Sequence, residues 1–212
     1  MLIEYKVISS LIEQLLATSL WEALAVLFGI AYLLLAMREH IWCWYAAFLG
    51  TAISIYVFWD ASLLMESALN VYYVIMAVYG WYQWRHGGKA SSELAISRWP
   101  LHHHGLAIAA VLVVAGCSGY LLSTNTGAAW PYLDSFTTWG AVLTTFMVAR
   151  KILENWLYWL VIDSVSIVLY IDRGLYLYAL LFVAYLVIAV FGFLAWRRHL
   201  AGQPVGELAP QQ

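Results

Sequence analysis

Charge is scarce in this sequence. Acidic and basic residues make up 10% of its 212 residues, whereas 64% are hydrophobic. Soluble domains carry about 25% charged residues. So few charges cannot cover a water-facing surface, which excludes a soluble globular protein and leaves an integral membrane protein. The net charge of −2 points to no partner and gives no reason to expect nucleic acid. Cysteine is scarce too. Cys43 and Cys117 lie far apart in apolar surroundings, where two thiols make neither a disulfide framework nor a metal-ligand set. There is no HExxH, no GxSxG and no glycine-rich phosphate loop, so no cofactor, enzyme chemistry or nucleotide-driven pumping is expected. A cleavable leader is not expected either. Glu4, Lys6 and Glu13 interrupt the first apolar stretch, with no basic leader and no small-residue cleavage site.

What is there is apolar sequence in long runs. A membrane-crossing helix needs about 20 mostly apolar residues. On that ruler the chain divides into seven spans, at about 20–37, 41–59, 63–84, 104–123, 134–149, 155–171 and 174–196. Residues 2–18 differ. Leu2, Ile3, Val7, Ile8, Leu11, Ile12, Leu15 and Leu16 recur at helical spacing, with Glu4, Lys6, Ser9, Ser10, Glu13 and Gln14 on the other face. This predicts an amphipathic helix on the membrane surface, or a strut against the bundle.

The basic residues then set the orientation. With the N-terminus outside, the inner side holds Arg38, Arg85, Lys89, Arg98, Arg150, Lys151, Arg197 and Arg198, against Lys6 and Arg173 outside. The positive-inside rule therefore puts the N-terminus out and the C-terminus in. His102, His103 and His104 lack the i, i+4 spacing of two ligands on one helix face, so a hydrated loop end is expected and no metal site. The closing AGQPVGELAPQQ predicts a mobile tail.

Sliding the chain on itself by 112 positions aligns two halves without a gap. Arg38 falls on Arg150, Trp44 on Trp156, Ser54 on Ser166, Asp60 on Asp172 and Leu63 on Leu175. Tyr73 falls on Tyr185, Gly80 on Gly192, Trp84 on Trp196 and Arg85 on Arg197. The expected fold is all-α. A three-helix bundle (20–86) and a linker with the fourth span (87–133) precede a second three-helix bundle (134–199), flanked by the 1–19 helix and a 200–212 tail. An odd linker makes the bundles parallel, which is a transporter architecture with its substrate near mid-membrane.

The chemistry gathers on two helix faces. Trp156, Trp159, Asp163, Ser166 and Tyr170 share one face of the sixth span, and Glu66, Asn70 and Tyr73 one face of the third. A carboxylate near the bilayer centre costs at least ~2.5 kcal/mol on insertion scales, so Asp163 must face the bundle interior or a wet cavity. Under the repeat, Asp163 corresponds to Thr51, Asn70 to Phe182 and Glu66 to Tyr178. The scaffold is symmetric and its polar groups are not, as an asymmetric ligand requires. The candidate substrate-binding residues are Trp156, Trp159, Asp163, Ser166, Asn70, Tyr73, Glu66 and Trp44. Two tryptophans beside an acid suit a flat, cationic ring, through stacking and cation–π contacts of about 0.5–2 kcal/mol each.

These residues also carry a resemblance. ENWLYWLVIDSVSIVLY and RGLYLYALLFVAYLVIAVFGFLAWR resemble the signature end of the PnuC transporters, and ASLLMESALNVYY with VYGWYQWR resembles their third conserved span. The resemblance runs from about Trp21 to Arg198. It implies a SWEET-like fold, a bacterial inner-membrane location, assembly as a homotrimer and facilitated diffusion of nicotinamide riboside, a vitamin B3 form. A cytoplasmic kinase that phosphorylates the riboside would trap it. The family's W-x-x-W element falls on Trp156 and Trp159, and its downstream polar position on Asp163. Relatives that move thiamine, riboflavin or deoxynucleosides keep those cargoes as alternatives. A membrane enzyme is a distant one, because Asp163 has no evident acid–base mate.

Overall fold

In a computed structural model, the residues described are 2–60, 64–88, 93–127 and 129–202. Leu63, Lys89 and the tail from residue 203 fall outside them, as do the side chains of Glu4, Lys6 and Glu66. Among the described residues there are eight helices: α1 (Leu2–Ala17), α2 (Leu20–Met37), α3 (Cys43–Asp60), α4 (Leu64–His86), α5 (Leu101–Asn125), α6 (Pro131–Ala149), α7 (Asn155–Asp172) and α8 (Tyr176–Gly202). Three of them, α2, α5 and α8, are by themselves long and apolar enough to cross a membrane.

The predicted spans and the helices agree in their centres and differ at their ends. The boundaries of α2 match, because Ser19 and Glu22 close a capping box on its first turn. Helix α5 begins at Leu101 after Pro100, so the three histidines form its first turn instead of a loop end. There His104 bonds the Tyr158 hydroxyl at 2.9 Å. Helix α8 runs past the predicted span end at Trp196 through Arg197, Arg198 and His199, taking the first residues assigned to the tail into the helix.

The chain packs as two compact units. One holds α1, α5, most of α6 and α7 and the first half of α8. The other holds α2, α3, α4, the segment before α5, the α6–α7 connection and the end of α8. In the second unit α2 packs on α3 and α3 on α4. Trp44 of α3 fills the notch over Gly80 of α4, where an added Cβ would stand 2.3 Å from the indole ring. The segment before α5 buries Leu94 and Ile96, and Ser97 makes a short parallel bridge with Ile152.

That unit also displays the repeat as hydrogen bonds. At the end of α2, Glu39 N–H donates to Ala36 and His40 N–H to Leu35. At the end of α6, Lys151 N–H donates to Val148 and Ile152 N–H to Met147. Both are Schellman turns, and their left-handed residues are Glu39 (φ 54°) and Lys151 (φ 47°) rather than glycine. Each turn also receives an indole from the other repeat. Trp84 Nε1–H donates to the Val148 carbonyl and Trp196 Nε1–H to the Ala36 carbonyl, both at 3.0 Å.

In the other unit α7 and α8 form a hairpin. Gly174 (φ 72°) takes the left-handed position of a third Schellman turn, with Leu175 N–H on the Tyr170 carbonyl at 2.8 Å. Helix α1 is pinned to this turn. Gln14 donates to the Gly174 carbonyl at 2.8 Å and accepts from Leu177 N–H at 3.1 Å. Ile8, Ile12, Leu15 and Leu16 of α1 stay exposed. The helix is thus tied to the hairpin through Gln14 and keeps an exposed apolar face. Arg173 joins the same end, bonding Asp134 at 3.3 Å and the Ala129 carbonyl at 3.2 Å.

Candidate functional site

Helix α7 carries the densest set of predicted site residues. Its start is fixed by the Lys151 turn and by Asn155, whose side chain donates to the Ile152 carbonyl at 2.7 Å. From there the 3.6-residue period puts Trp156, Trp159, Asp163, Ser166 and Tyr170 on one face. That face points inward. Trp156 is 1% exposed, Asp163 3% and Ser166 6%.

The polar groups on this face differ in what they have left to offer. The Ser166 hydroxyl donates to the Ile162 carbonyl at 2.9 Å, so only its lone pairs are available to a ligand. The Trp159 indole N–H is buried and has no hydrogen-bond partner among the described residues. The Asp163 carboxylate has neither a hydrogen bond nor an ion pair among them. A buried charge without a partner costs several kcal/mol, and a cationic ligand would remove that cost.

The remaining predicted residues belong to the other compact unit. Trp44 is 2% exposed, seated on Gly80, edge-on to Trp84 at 5.4 Å and tilted against Tyr32 at 5.9 Å. Its indole N–H lacks a partner among the described residues. Asn70 and Tyr73 are half-buried on α4, and Tyr73 meets Tyr72 edge-on at 5.5 Å. The Glu66 side chain lies outside the described residues.

Sequence reasoning passed over the α8 side of the hairpin. Tyr170 stacks on Tyr178 at 5.5 Å and meets Phe182 at 5.1 Å, and Phe182 meets Tyr185 at 5.3 Å. The repeat held the signal, because Tyr178, Phe182 and Tyr185 are the partners of Glu66, Asn70 and Tyr73. The opposite face of α7 is of another kind. Leu157, Val161 and Ile162 line an apolar groove of about 290 Å³ with residues of α5 and α6. Its one hydroxyl, on Tyr158, bonds His104. That groove suits hydrocarbon and offers nothing to a polar solute.

Comparison with known proteins bears on the family and the fold. The profile of the nicotinamide mononucleotide transporter family matches residues 19–198. The riboflavin/roseoflavin transporter RibM of Streptomyces davaonensis is 28% identical over 191 residues, covering 86% of this chain and 87% of the relative. The nicotinamide riboside transporter PnuC of Escherichia coli is 24% identical over 200 residues, covering 82% and 84%. The crystal structure of the vitamin B3 transporter PnuC superposes with a TM-score of 0.69 at 21% identity, covering 92% of this chain and 90% of that one.

Proposed function

We propose that this chain, which belongs to the nicotinamide mononucleotide transporter family and is a membrane transporter of the PnuC type rather than an enzyme, takes up nicotinamide riboside. The observation that carries the cargo is Asp163. Its carboxylate is buried on the same face as Trp156 and Trp159, and no ion pair among the described residues neutralises it. Nicotinamide riboside brings a flat pyridinium ring with a fixed positive charge, an amide and a ribose. The ring matches indole faces, and the charge matches the carboxylate.

The rest of the reading follows from the repeat and the charges. Seven spans in a three-one-three, SWEET-like order would let two parallel bundles rock about a site at mid-membrane. The basic residues support a periplasmic N-terminus and a cytoplasmic C-terminus in an inner membrane. Transport is facilitated diffusion, with phosphorylation by a cytoplasmic kinase as the trap, and the family resemblance supports a trimer of this chain.

Riboflavin is the second reading, favoured by the 28% identity to RibM. Its ring is also flat but uncharged at neutral pH, so it leaves Asp163 without a counter-charge. Counterflow in proteoliposomes, with no ion gradient, tests the proposal. Internal unlabelled nicotinamide riboside should drive accumulation of labelled riboside. Failure of labelled riboside to accumulate, with labelled riboflavin accumulating against internal riboflavin instead, would replace the cargo, and a need for an imposed gradient would replace the mechanism.

A further inference from the structure

Asp163 and Tyr185 are each eleven residues from Gly174, on opposite arms of the α7–α8 hairpin. At about 1.5 Å of rise per residue, both lie roughly 16 Å from the turn, near the middle of a hydrocarbon layer about 30 Å thick. No hydrogen bond joins the Tyr185 phenol to the Asp163 carboxylate among the described residues. Among the described residues neither group has another hydrogen-bond partner. A phenol that can donate and a carboxylate that can accept thus stand at one depth, on the two arms of one hairpin, and are not bonded to each other.

The rings behind Tyr185 are arranged to suit the rest of such a cargo. Phe182 meets Tyr185 at 5.3 Å and Tyr170 at 5.1 Å, so the α8 arm turns an aromatic wall toward the Asp163 face of α7. Under the repeat this wall stands where α4 carries Glu66, Asn70 and Tyr73.

We propose that Tyr185 is a substrate-positioning residue whose hydroxyl, together with the Asp163 carboxylate, takes the sugar hydroxyls of the cargo while Phe182 and Tyr170 flank its ring. In nicotinamide riboside the ribose is bonded directly to the pyridinium nitrogen. A carboxylate that accepts from a ribose hydroxyl therefore also stands beside the positive charge. Riboflavin carries a polyhydroxylated chain on a ring nitrogen and presents the same pairing of ring and hydroxyls. The inference rests on the transport reading above, but it concerns a part of the cargo that both readings share.

The test is a calorimetric cycle between protein and ligand. Wild type and Tyr185→Phe are titrated with nicotinamide riboside and with its analogues lacking the 2′- or the 3′-hydroxyl. Tyr185→Phe should weaken the intact riboside five- to twentyfold. It should weaken by less than twofold the one analogue that lacks the hydroxyl Tyr185 meets. Unchanged riboside affinity would overturn the assignment, and so would an equal loss for all three ligands, because that marks a structural defect. If the wild type binds riboflavin instead, the transport reading has lost its cargo and the cycle runs on riboflavin and lumiflavin, which lacks the polyol. Loss for riboflavin alone keeps the Tyr185 assignment, and equal behaviour of the two flavins removes it. A wild type that binds neither cargo overturns both proposals.

Discussion

Glu39 and Lys151 stand 112 residues apart, at equivalent positions of the two repeats, and bond each other at 3.0 Å. Both take the left-handed position that ends the first helix of a repeat, where glycine is the usual occupant. A non-glycine residue there costs roughly 1–2 kcal/mol. Residues related by the repeat would normally be alike, and two like charges here would repel. Their opposite signs make the repeat bond to itself. The side chains are 13% and 8% exposed, Lys151 also lies over the Trp84 ring at 4.7 Å, and His199 bonds the same Glu39 carboxylate. Lys151→Met strands a mostly buried carboxylate, for which about 3 kcal/mol is expected, or roughly 5–10 °C in thermal unfolding. The exchange Glu39→Lys with Lys151→Glu should recover most of that loss. A double variant as unstable as the single one would show that the pair is not what holds this end.

Trp84 and Trp196 make the matching neutral tie, each donating to the carbonyl beside the other repeat's turn. Each carbonyl keeps its backbone donor, Lys151 N–H or Glu39 N–H. Trp84→Phe and Trp196→Phe should therefore each cost about 1 kcal/mol for the lost bond, plus a packing loss from the smaller ring. Calorimetric unfolding should show two variants of similar size. A large effect at one position only would mean that the two ties are not equivalent.

Gly80 is where α3 and α4 depend on a missing side chain. A Cβ there would stand 2.3 Å from the Trp44 ring, which is buried and cannot rotate away freely. Gly80→Ala should destabilise by about 1–3 kcal/mol despite the better helix propensity of alanine. Gly80→Ala combined with Trp44→Phe should be less damaging than the sum of the two. Strict additivity in thermal unfolding would remove the contact from the account.

Trp159 has a buried indole N–H without a partner among the described residues, one turn from Asp163, whereas Trp130 is exposed and bonds Asp172 at 2.7 Å. Binding of cargo should quench tryptophan fluorescence. Trp159→Ala should remove most of that quenching and weaken binding about tenfold, or ~1.4 kcal/mol. Trp130→Ala should leave both unchanged. Quenching that survives Trp159→Ala would move the ring away from α7.

Much of this was legible in the sequence, and the remainder has a common physical cause. Hydropathy located the helix centres, because apolar residues must lie where the helices contact hydrocarbon or one another. It misplaced the ends of α5 and α8, because a helix continues into water wherever its backbone bonds can. The α7 face was legible from its period, and its burial follows from the cost of an exposed carboxylate in hydrocarbon. Lys151 counts in the sequence only as an inner-side charge, and its burial is not legible there, because its partner lies 112 residues away and only tertiary structure brings them together. The α8 wall was missed for a different reason. Tyr178, Phe182 and Tyr185 look like ordinary apolar residues of a spanning helix until the hairpin sets Tyr185 level with Asp163. Leu94 and Ile96 lie in a segment too short for any periodic signal, and their burial could not be read.

The central claim is that Asp163 meets a positive charge, and calorimetry on Asp163→Asn beside the wild type tests it most directly. The wild type should bind nicotinamide riboside and prefer it to riboflavin. Asp163→Asn should weaken the riboside at least tenfold, or ~1.4 kcal/mol, and change any riboflavin binding little. A wild type that prefers riboflavin, or a variant that binds the riboside as well as the wild type does, would contradict the account.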